Sequence, residues 1–362
     1  MQIGIIGLPN AGKSTIFNAL VHARVPVQKH PFTTIEPNVG MVHLPDPRLD
    51  RLFALFQPER IVPASVKFMD VAGLVAGASR GEGLGNQFLA AIRETTALAH
   101  VVRSFPDASV AHVLGGIDPV RDIEVVKIEL MLSDLDLVEK RLGKVIKGRQ
   151  ADPRKDEELA EVLGVIKGHL ERGEECRGTA LAERACALLP DMPLLSLKPV
   201  IYVANVGEGD LGKETDVLAA LKEQARKEGA GLISLCGKLE EEVGELPTEE
   251  QAAFRESLGI KDSGLALLAA AAKELLGLVT FFTKEGVEVR AWTVKRGTLA
   301  RSAAGEVHSD IEKGFIKAEV VSFTDLEKSG SPAEAKRQGH LRFEGADYPV
   351  REGDVIRFHF KG

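Results

Sequence analysis

Gly7-Leu8-Pro9-Asn10-Ala11-Gly12-Lys13-Ser14 follows directly on the apolar run Gln2-Ile3-Gly4-Ile5-Ile6 and leads into Thr15-Ile16-Phe17-Asn18-Ala19-Leu20, which has a helical pattern. The spacing G-x-x-x-x-G-K-S between a strand and a helix is a P-loop. Glycines let backbone N–H groups turn inward around phosphates, and the helix N-terminus adds partial positive charge. Lys13 is expected to reach the β- and γ-phosphate oxygens, and the Ser14 hydroxyl to ligate Mg²⁺. Asn10, Ala11, Gly12, Lys13, Ser14 and Thr15 are therefore the expected phosphate-binding residues, with Lys13 also catalytic.

The rest of the chain is compatible with such a domain and excludes several other classes. It has 362 residues, 44% hydrophobic and 27% charged, with a net charge of −7. That length implies two or three domains, and the charge excludes a chain-wide basic footprint for nucleic acid. Cys176, Cys186 and Cys236 form no C-x-x-C pair, so neither a disulfide framework nor a zinc site is expected. The first strand starts at the N-terminus, so no leader is expected. With no apolar run near the length of a span, a cytoplasmic protein without membrane contact is expected.

Residues 1–115 alternate strand and helix signals, with strands expected at Ser65-Val66-Lys67-Phe68-Met69-Asp70 and across residues 98–105. From about Ile123 the period changes. Val125, Ile128, Leu132, Leu135, Val138, Leu142 and Val145 recur at spacings of three and four, and Leu159, Leu163, Ile166 and Leu170 follow after a polar break. This predicts a hairpin of two amphipathic helices. A strand pattern returns in residues 198–205, then a helix near 217–228, a short strand at 231–235 and an apolar helix at 265–276. Beyond Val279, strand-like runs at 280–283, 287–294, 315–323 and 355–360 predict a separate β-rich domain. The expected division is 1–120 with 196–278 for the nucleotide domain, 121–195 for a helical insertion and 279–362 for the last domain.

Further motifs follow the P-loop in the order a nucleotide hydrolase needs. Asp70-Val71-Ala72-Gly73 ends a predicted strand; Asp70 is expected to hold Mg²⁺ and Gly73 to meet the γ-phosphate. Thr33 or Thr34 could complete the metal shell. Leu74 stands where Ras-like enzymes place the glutamine that orients the attacking water, so water must be positioned by another group. His112 is the candidate for orienting the water or the γ-phosphate, with a surface or structural histidine as the alternative. Asn205-Val206-Gly207-Glu208 occupies the place of N-K-x-D, which reads guanine. Val206 replaces the lysine that covers the base, and Glu208 replaces the aspartate. A carboxylate facing adenine N1 meets a lone pair, and a displaced acid relaxes the bias toward guanine.

These segments, with Pro31-Phe32-Thr33-Thr34-Ile35-Glu36-Pro37-Asn38 and Gly81-Glu82-Gly83-Leu84-Gly85-Asn86, resemble the YchF/Obg-like ATPase family. The likeness covers essentially the whole chain, including Val289-Arg290-Ala291-Trp292-Thr293 and Gly305-Glu306-Val307-His308-Ser309-Asp310-Ile311-Glu312-Lys313-Gly314-Phe315-Ile316. It implies an α/β P-loop NTPase G-domain with an inserted α-helical hairpin and a C-terminal ubiquitin-like β-grasp (TGS) domain. It also implies hydrolysis of ATP in preference to GTP, a requirement for Mg²⁺ and association with the ribosome. It favours Thr34 over Thr33 as metal ligand, and Asn10 is similar to the asparagine that helps bind K⁺ in potassium-stimulated relatives. Ala76 departs from the lysine expected there. A monomer is expected. Lys144, Lys147, Arg149, Arg154 and Lys155 near the hairpin tip are candidate RNA contacts, with a solvated helix end as the alternative. Two other readings remain open: a GTP-specific Obg-type GTPase, and a nucleotide-gated scaffold whose hydrolysis is incidental.

Overall fold

A computed structural model describes residues 1–22, 39–71, 84–107, 110–147, 153–260 and 262–361. In chain order the first half runs β1 (Gln2–Ile6), α1 (Lys13–His22), β2 (Val39–His43), α2 (Pro47–Phe56), β3 (Arg60–Val62), β4 (Ser65–Asp70), α3 (Leu84–Glu94) and β5 (Ala97–Arg103). Three helices follow, α4 (Pro119–Lys147), α5 (Pro153–Glu171) and α6 (Ala180–Leu188). Next come β6 (Val200–Asn205), α7 (Asp216–Lys227), β7 (Gly231–Leu235), α8 (Gly237–Glu245), α9 (Thr248–Ser257) and α10 (Gly264–Leu275). The last part holds β8 (Leu278–Glu285), β9 (Glu288–Lys295), α11 (Ala300–Val307), α12 (Ser309–Lys313), β10 (Phe315–Ser322), α13 (Phe323–Ser329), α14 (Pro332–Arg337), β11 (Arg342–Glu344) and β12 (Asp354–Phe360).

The chain forms two compact units. The first comprises residues 1–41 and 67–271, the second residues 42–66 and 272–362. One six-stranded sheet has the order β2-β4-β1-β5-β6-β7, and β4, β1, β5, β6 and β7 run parallel. Every residue of β5 and β6 is buried, as apolar runs in the middle of a helix-covered parallel sheet require. The turn after β1 thus opens at the carboxyl edge of the sheet, where such folds bind ligands.

The helical insertion packs α4 along α5 through Met131, Val138, Val145, Leu159, Val162, Leu163 and Ile166, and α6 closes the cluster with Ala182 and Ala185. An ion pair between Lys167 and Glu139, 2.8 Å long, lies across α4 and α5. The buried stripe of α4 differs from the apolar periodicity. Ile128 is exposed, while Asp134 is fully buried. Asp134 is satisfied by Arg93 Nη1 at 2.8 Å and by the Ser196 N–H and hydroxyl, each at 2.7 Å. A buried carboxylate with three charge-assisted or direct donors is tolerated in a core, and this one rotates the helix away from its purely apolar face.

The second unit is built on a mixed, β-grasp-like sheet of order β11-β10-β12-β8-β9-β3. Its core gathers Val279, Phe281, Val294, Ala303, Val320, Ile356 and Phe358. Residues 42–66, read from sequence as part of the alternating N-terminal half, belong to this unit. Strand β3 pairs in parallel with β9, Arg60 opposite Glu288 and Val62 opposite Arg290. Arg48 of α2 binds Asp46 and Glu352 and lies over the Phe282 ring at 5.0 Å. Among the described residues, no helix is long and apolar enough to cross a membrane.

Candidate functional site

The turn between β1 and α1 has a backbone that only its own sequence permits. Gly7 and Gly12 have φ values of 145° and 94°, and Asn10 has φ 63°. Asparagine is among the few residues that take the left-handed region readily. A Cβ on Gly7 would overlap the Val101 carbonyl oxygen, and one on Gly12 would overlap Asn205 Nδ2. Both glycines are therefore fixed by close approach as well as by torsion.

Lys13 is the first residue of α1 and is only 6% exposed. Its ammonium donates to the carbonyls of Gly7 at 3.0 Å and Leu8 at 2.8 Å. Burial pulls its pKa down to about 8, with the nearby Asp70 carboxylate acting in the opposite sense. Asp70 ends β4, and its neighbour in the β1 ladder is Ile5. Burial raises the Asp70 pKa, and Lys13 partly offsets this. The N-terminus of α1 presents N–H groups to phosphate, while a half-buried carboxylate and an exposed Ser14 hydroxyl form a hard-oxygen donor set. That chemistry suits Mg²⁺ shared with phosphate oxygens. Among the described residues no three His, Cys, Asp or Glu side chains converge on a metal position; of these residues, the Ser14 hydroxyl and this carboxylate are the ones that would hold Mg²⁺ together with the nucleotide. Thr34, Gly73, Leu74 and Ala76 lie outside the described residues.

Asn205, at the end of β6, is 4% exposed and joins three segments. Its Nδ2 donates to the Ala11 carbonyl at 3.0 Å, and its Oδ1 accepts the Gly237 N–H at 3.0 Å. The carboxamide ties the P-loop to the start of α8, which in turn packs on α1 with Asn18 Nδ2 3.2 Å from Glu241. This tie could not be read from the four-residue motif alone, because its partners are 194 and 32 positions away. Val206 is 2% exposed and packed into the core cluster that holds Leu211 and Leu221. Glu208 lies in the one-turn 3₁₀ segment Glu208–Asp210 and is exposed. Its Oε1 is 3.2 Å from Lys238 Nζ at the start of α8. Lys238 is 30 positions from Glu208, and the Asn205–Glu208 motif does not disclose it.

The loop after β5 comes back over the P-loop. Asn10 Nδ2 donates to the Ala111 carbonyl at 3.1 Å, which leaves its carboxamide oxygen as the group able to meet a cation. Arg103 holds the loop through the carbonyls of Asp107 and Val110, at 3.0 and 2.9 Å. His112 follows Ala111 and is engaged at both ring nitrogens. Nε2 is 2.8 Å from Asp122 Oδ2, and Nδ1 accepts the Leu114 N–H at 3.2 Å. The structure thus brings Asn10, Lys13, Ser14 and Asp70 to one sheet edge, with Asn205 behind the loop and residue 111 in front of it. Lys144 and Lys147 end α4, and Arg154 and Lys155 begin α5. Arg149 lies outside the described residues.

Comparison with known proteins extends this geometry over the entire chain. Residues 2–134 match the family described as "50S ribosome-binding GTPase", and residues 278–361 match YchF-GTPase_C, described as "Protein of unknown function (DUF933)". The chain is 46% identical to the ribosome-binding ATPase YchF of Bacillus subtilis, covering 99% of both chains. It is 44% identical to that of Escherichia coli O157:H7, again over 99% of both. The solved structure of the Schizosaccharomyces pombe YchF GTPase superposes with a TM-score of 0.88 at 33% identity, covering 99% of this chain and 97% of that one. With the P-loop, the helical insertion and the β-grasp-like sheet in one continuous match, the chain belongs to the YchF family of P-loop nucleotide hydrolases.

Proposed function

We propose that the protein is a Mg²⁺-dependent switch that hydrolyses ATP to ADP and phosphate and couples this to ribosome binding; its relatives are named ribosome-binding ATPases. The observation that carries the reading is the P-loop whose Lys13 and Ser14 begin α1 beside Asp70. Lys13 binds the β- and γ-phosphates. Ser14, Asp70 and Thr34 hold Mg²⁺, Gly73 donates its N–H to the γ-phosphate, and His112 handles the attacking water in place of the missing glutamine. Mg²⁺, when bound, neutralises developing charge on the phosphates. K⁺ at Asn10 would add to that stabilisation. The C-terminal sheet is a TGS domain, and the protein acts as a cytoplasmic monomer. A three-part functional division into nucleotide domain, helical insertion and TGS domain is part of this reading, with residues 42–66 grouped in the second compact unit and not in the nucleotide domain.

ATP is preferred because the lysine and aspartate of N-K-x-D, which favour guanine, are replaced here by Val206 and Glu208. Val206 is committed to the core, and Glu208 faces Lys238. A GTP-specific reading has its own support, since a matching family and the yeast relative are described as GTPases and Glu208 keeps a carboxylate near the base position. Calorimetry with non-hydrolysable analogues decides between them. ATP should bind more tightly, and Glu208→Asp with Val206→Lys should move the preference toward guanine. A GTP affinity about tenfold tighter, or 1.4 kcal/mol, establishes the GTPase.

The lowered pKa of Lys13 gives a second test. Phosphate favours the charged ammonium, so above about pH 8 the complex holds more protons than the free protein. Affinity for an ATP analogue should be level below that pH and fall above it, by up to about tenfold per pH unit. A level profile to pH 9.5 would show that the Lys13 ammonium keeps an ordinary pKa.

A further inference from the structure

The proposed role of His112 has a structural counterpart ten residues on. Asp122 sits in the first turn of α4, the helix that begins the insertion, and is 3% exposed. Its Oδ2 lies 2.8 Å from His112 Nε2, and its Oδ1 lies 3.2 Å from Arg121 Nη2. On the other side of the ring, Nδ1 accepts a backbone N–H from Leu114. A nitrogen that accepts an N–H carries no proton, and a carboxylate can only accept. Both partners therefore select the same neutral tautomer, with the proton on Nε2.

We propose that Asp122 is the positioning residue for His112, holding the imidazole in the Nε2–H tautomer so that Nδ1 is its acceptor atom for the attacking water. This rests on the reading of His112 given above. The Asp122 contact is short and made by a buried carboxylate. The Leu114 contact is longer, spans two residues within the loop and uses a neutral donor, so it is the one that gives way. Water then replaces the Leu114 N–H at Nδ1. As its oxygen bonds to the γ-phosphorus, the bond to the β–γ bridging oxygen breaks and its electron pair stays with ADP. The water proton passes to Nδ1, and Asp122 stabilises the imidazolium that results. The carboxylate serves the ring as an orienting partner does in other acid–base pairs.

The same geometry ties the insertion to the phosphate site. Asp122 belongs to α4, His112 to the loop, and the preceding Ala111 carbonyl receives Asn10 of the P-loop. A displacement of the first turn of α4 acts on the ring nitrogen and on the loop together.

Single-turnover ATP hydrolysis, analogue affinity and the ¹⁵N resonances of His112 test this in the full chain. The parent should show Nε2 protonated and Nδ1 unprotonated at neutral pH; the opposite tautomer overturns the proposal before any variant is made. Asp122→Asn can donate to Nε2 and so admits the other tautomer. It should lower the hydrolysis rate about tenfold or more while leaving affinity within about threefold, an effect within reach of general acid–base catalysis. Asp122→Glu should recover part of the rate, which a purely structural role in the helix turn would not require. The double variant His112→Ala, Asp122→Asn should be no slower than His112→Ala alone. Parental hydrolysis by His112→Ala removes the reading of His112 itself. Loss in His112→Ala with parental hydrolysis in Asp122→Asn leaves that reading standing and overturns the role of Asp122.

Discussion

Lys13→Ala should lower ATP turnover by about 10²- to 10³-fold or more, the range for one preorganised electrostatic contact, and weaken nucleotide binding with it. The ammonium is the basic group at the start of α1, and it already sits among the loop carbonyls of Gly7 and Leu8. Phosphate oxygens would exchange those neutral acceptors for charged ones, and a hydrogen bond between charged groups contributes about 1.5–3 kcal/mol. Folding should change much less. The substitution leaves two carbonyls without this donor, but it also removes a buried charge whose desolvation is evident in its lowered pKa. These effects oppose each other. Lys13→Met keeps much of the aliphatic stem and should lose turnover equally, separating charge from packing. Thermal melting paired with analogue calorimetry reads both quantities. Near-parental hydrolysis in a folded Lys13→Ala protein would mean that the loop does not bind phosphate as proposed.

What the sequence disclosed follows the range of the forces involved. The P-loop was legible because torsion and approach are local: Gly7, Asn10 and Gly12 have the positive φ values that their residue types permit. Strand β7 spans Gly231–Leu235 as the apolar run predicts, and helices α4 and α5 form where the three-and-four spacing places them, although the buried stripe of α4 is turned from that spacing. Failures begin where a partner lies far along the chain. Strand β3 has three residues and no apolar alternation, and it exists because β9 offers an edge more than 200 positions later. Asp134 reads as a solvent-facing acid on an amphipathic helix until Arg93 and Ser196 surround it. His112 was visible as a histidine near the nucleotide domain, but its tautomer depends on Asp122 and on a backbone N–H, neither marked by any motif.

Asn205 shows the same gap between a motif and its mechanics, and Asn205→Ala should have the other large effect. The motif suggests a residue that faces the base. The structure gives its carboxamide to protein: Nδ2 to the Ala11 carbonyl and Oδ1 to the Gly237 N–H. Alanine would leave both partners buried and unpaired, at about 1–3 kcal/mol for each group. The first unit should therefore melt several degrees lower, and nucleotide affinity should fall by about tenfold or more, since 1.4 kcal/mol of lost P-loop order is a factor of ten. Because the effect passes through the P-loop, ATP and GTP analogues should lose affinity in equal measure. Asn205→Asp separates the two bonds. A carboxylate still accepts the Gly237 N–H, but its second oxygen meets the Ala11 carbonyl with no proton between them, so the P-loop should be disturbed while the α8 end stays tied. Asn205→Asp should then match or exceed alanine in lost nucleotide affinity, and because it buries a carboxylate against a carbonyl it should melt at least as low. An affinity loss confined to one base would instead make Asn205 a reader of the base, and the P-loop tie would be incidental to binding.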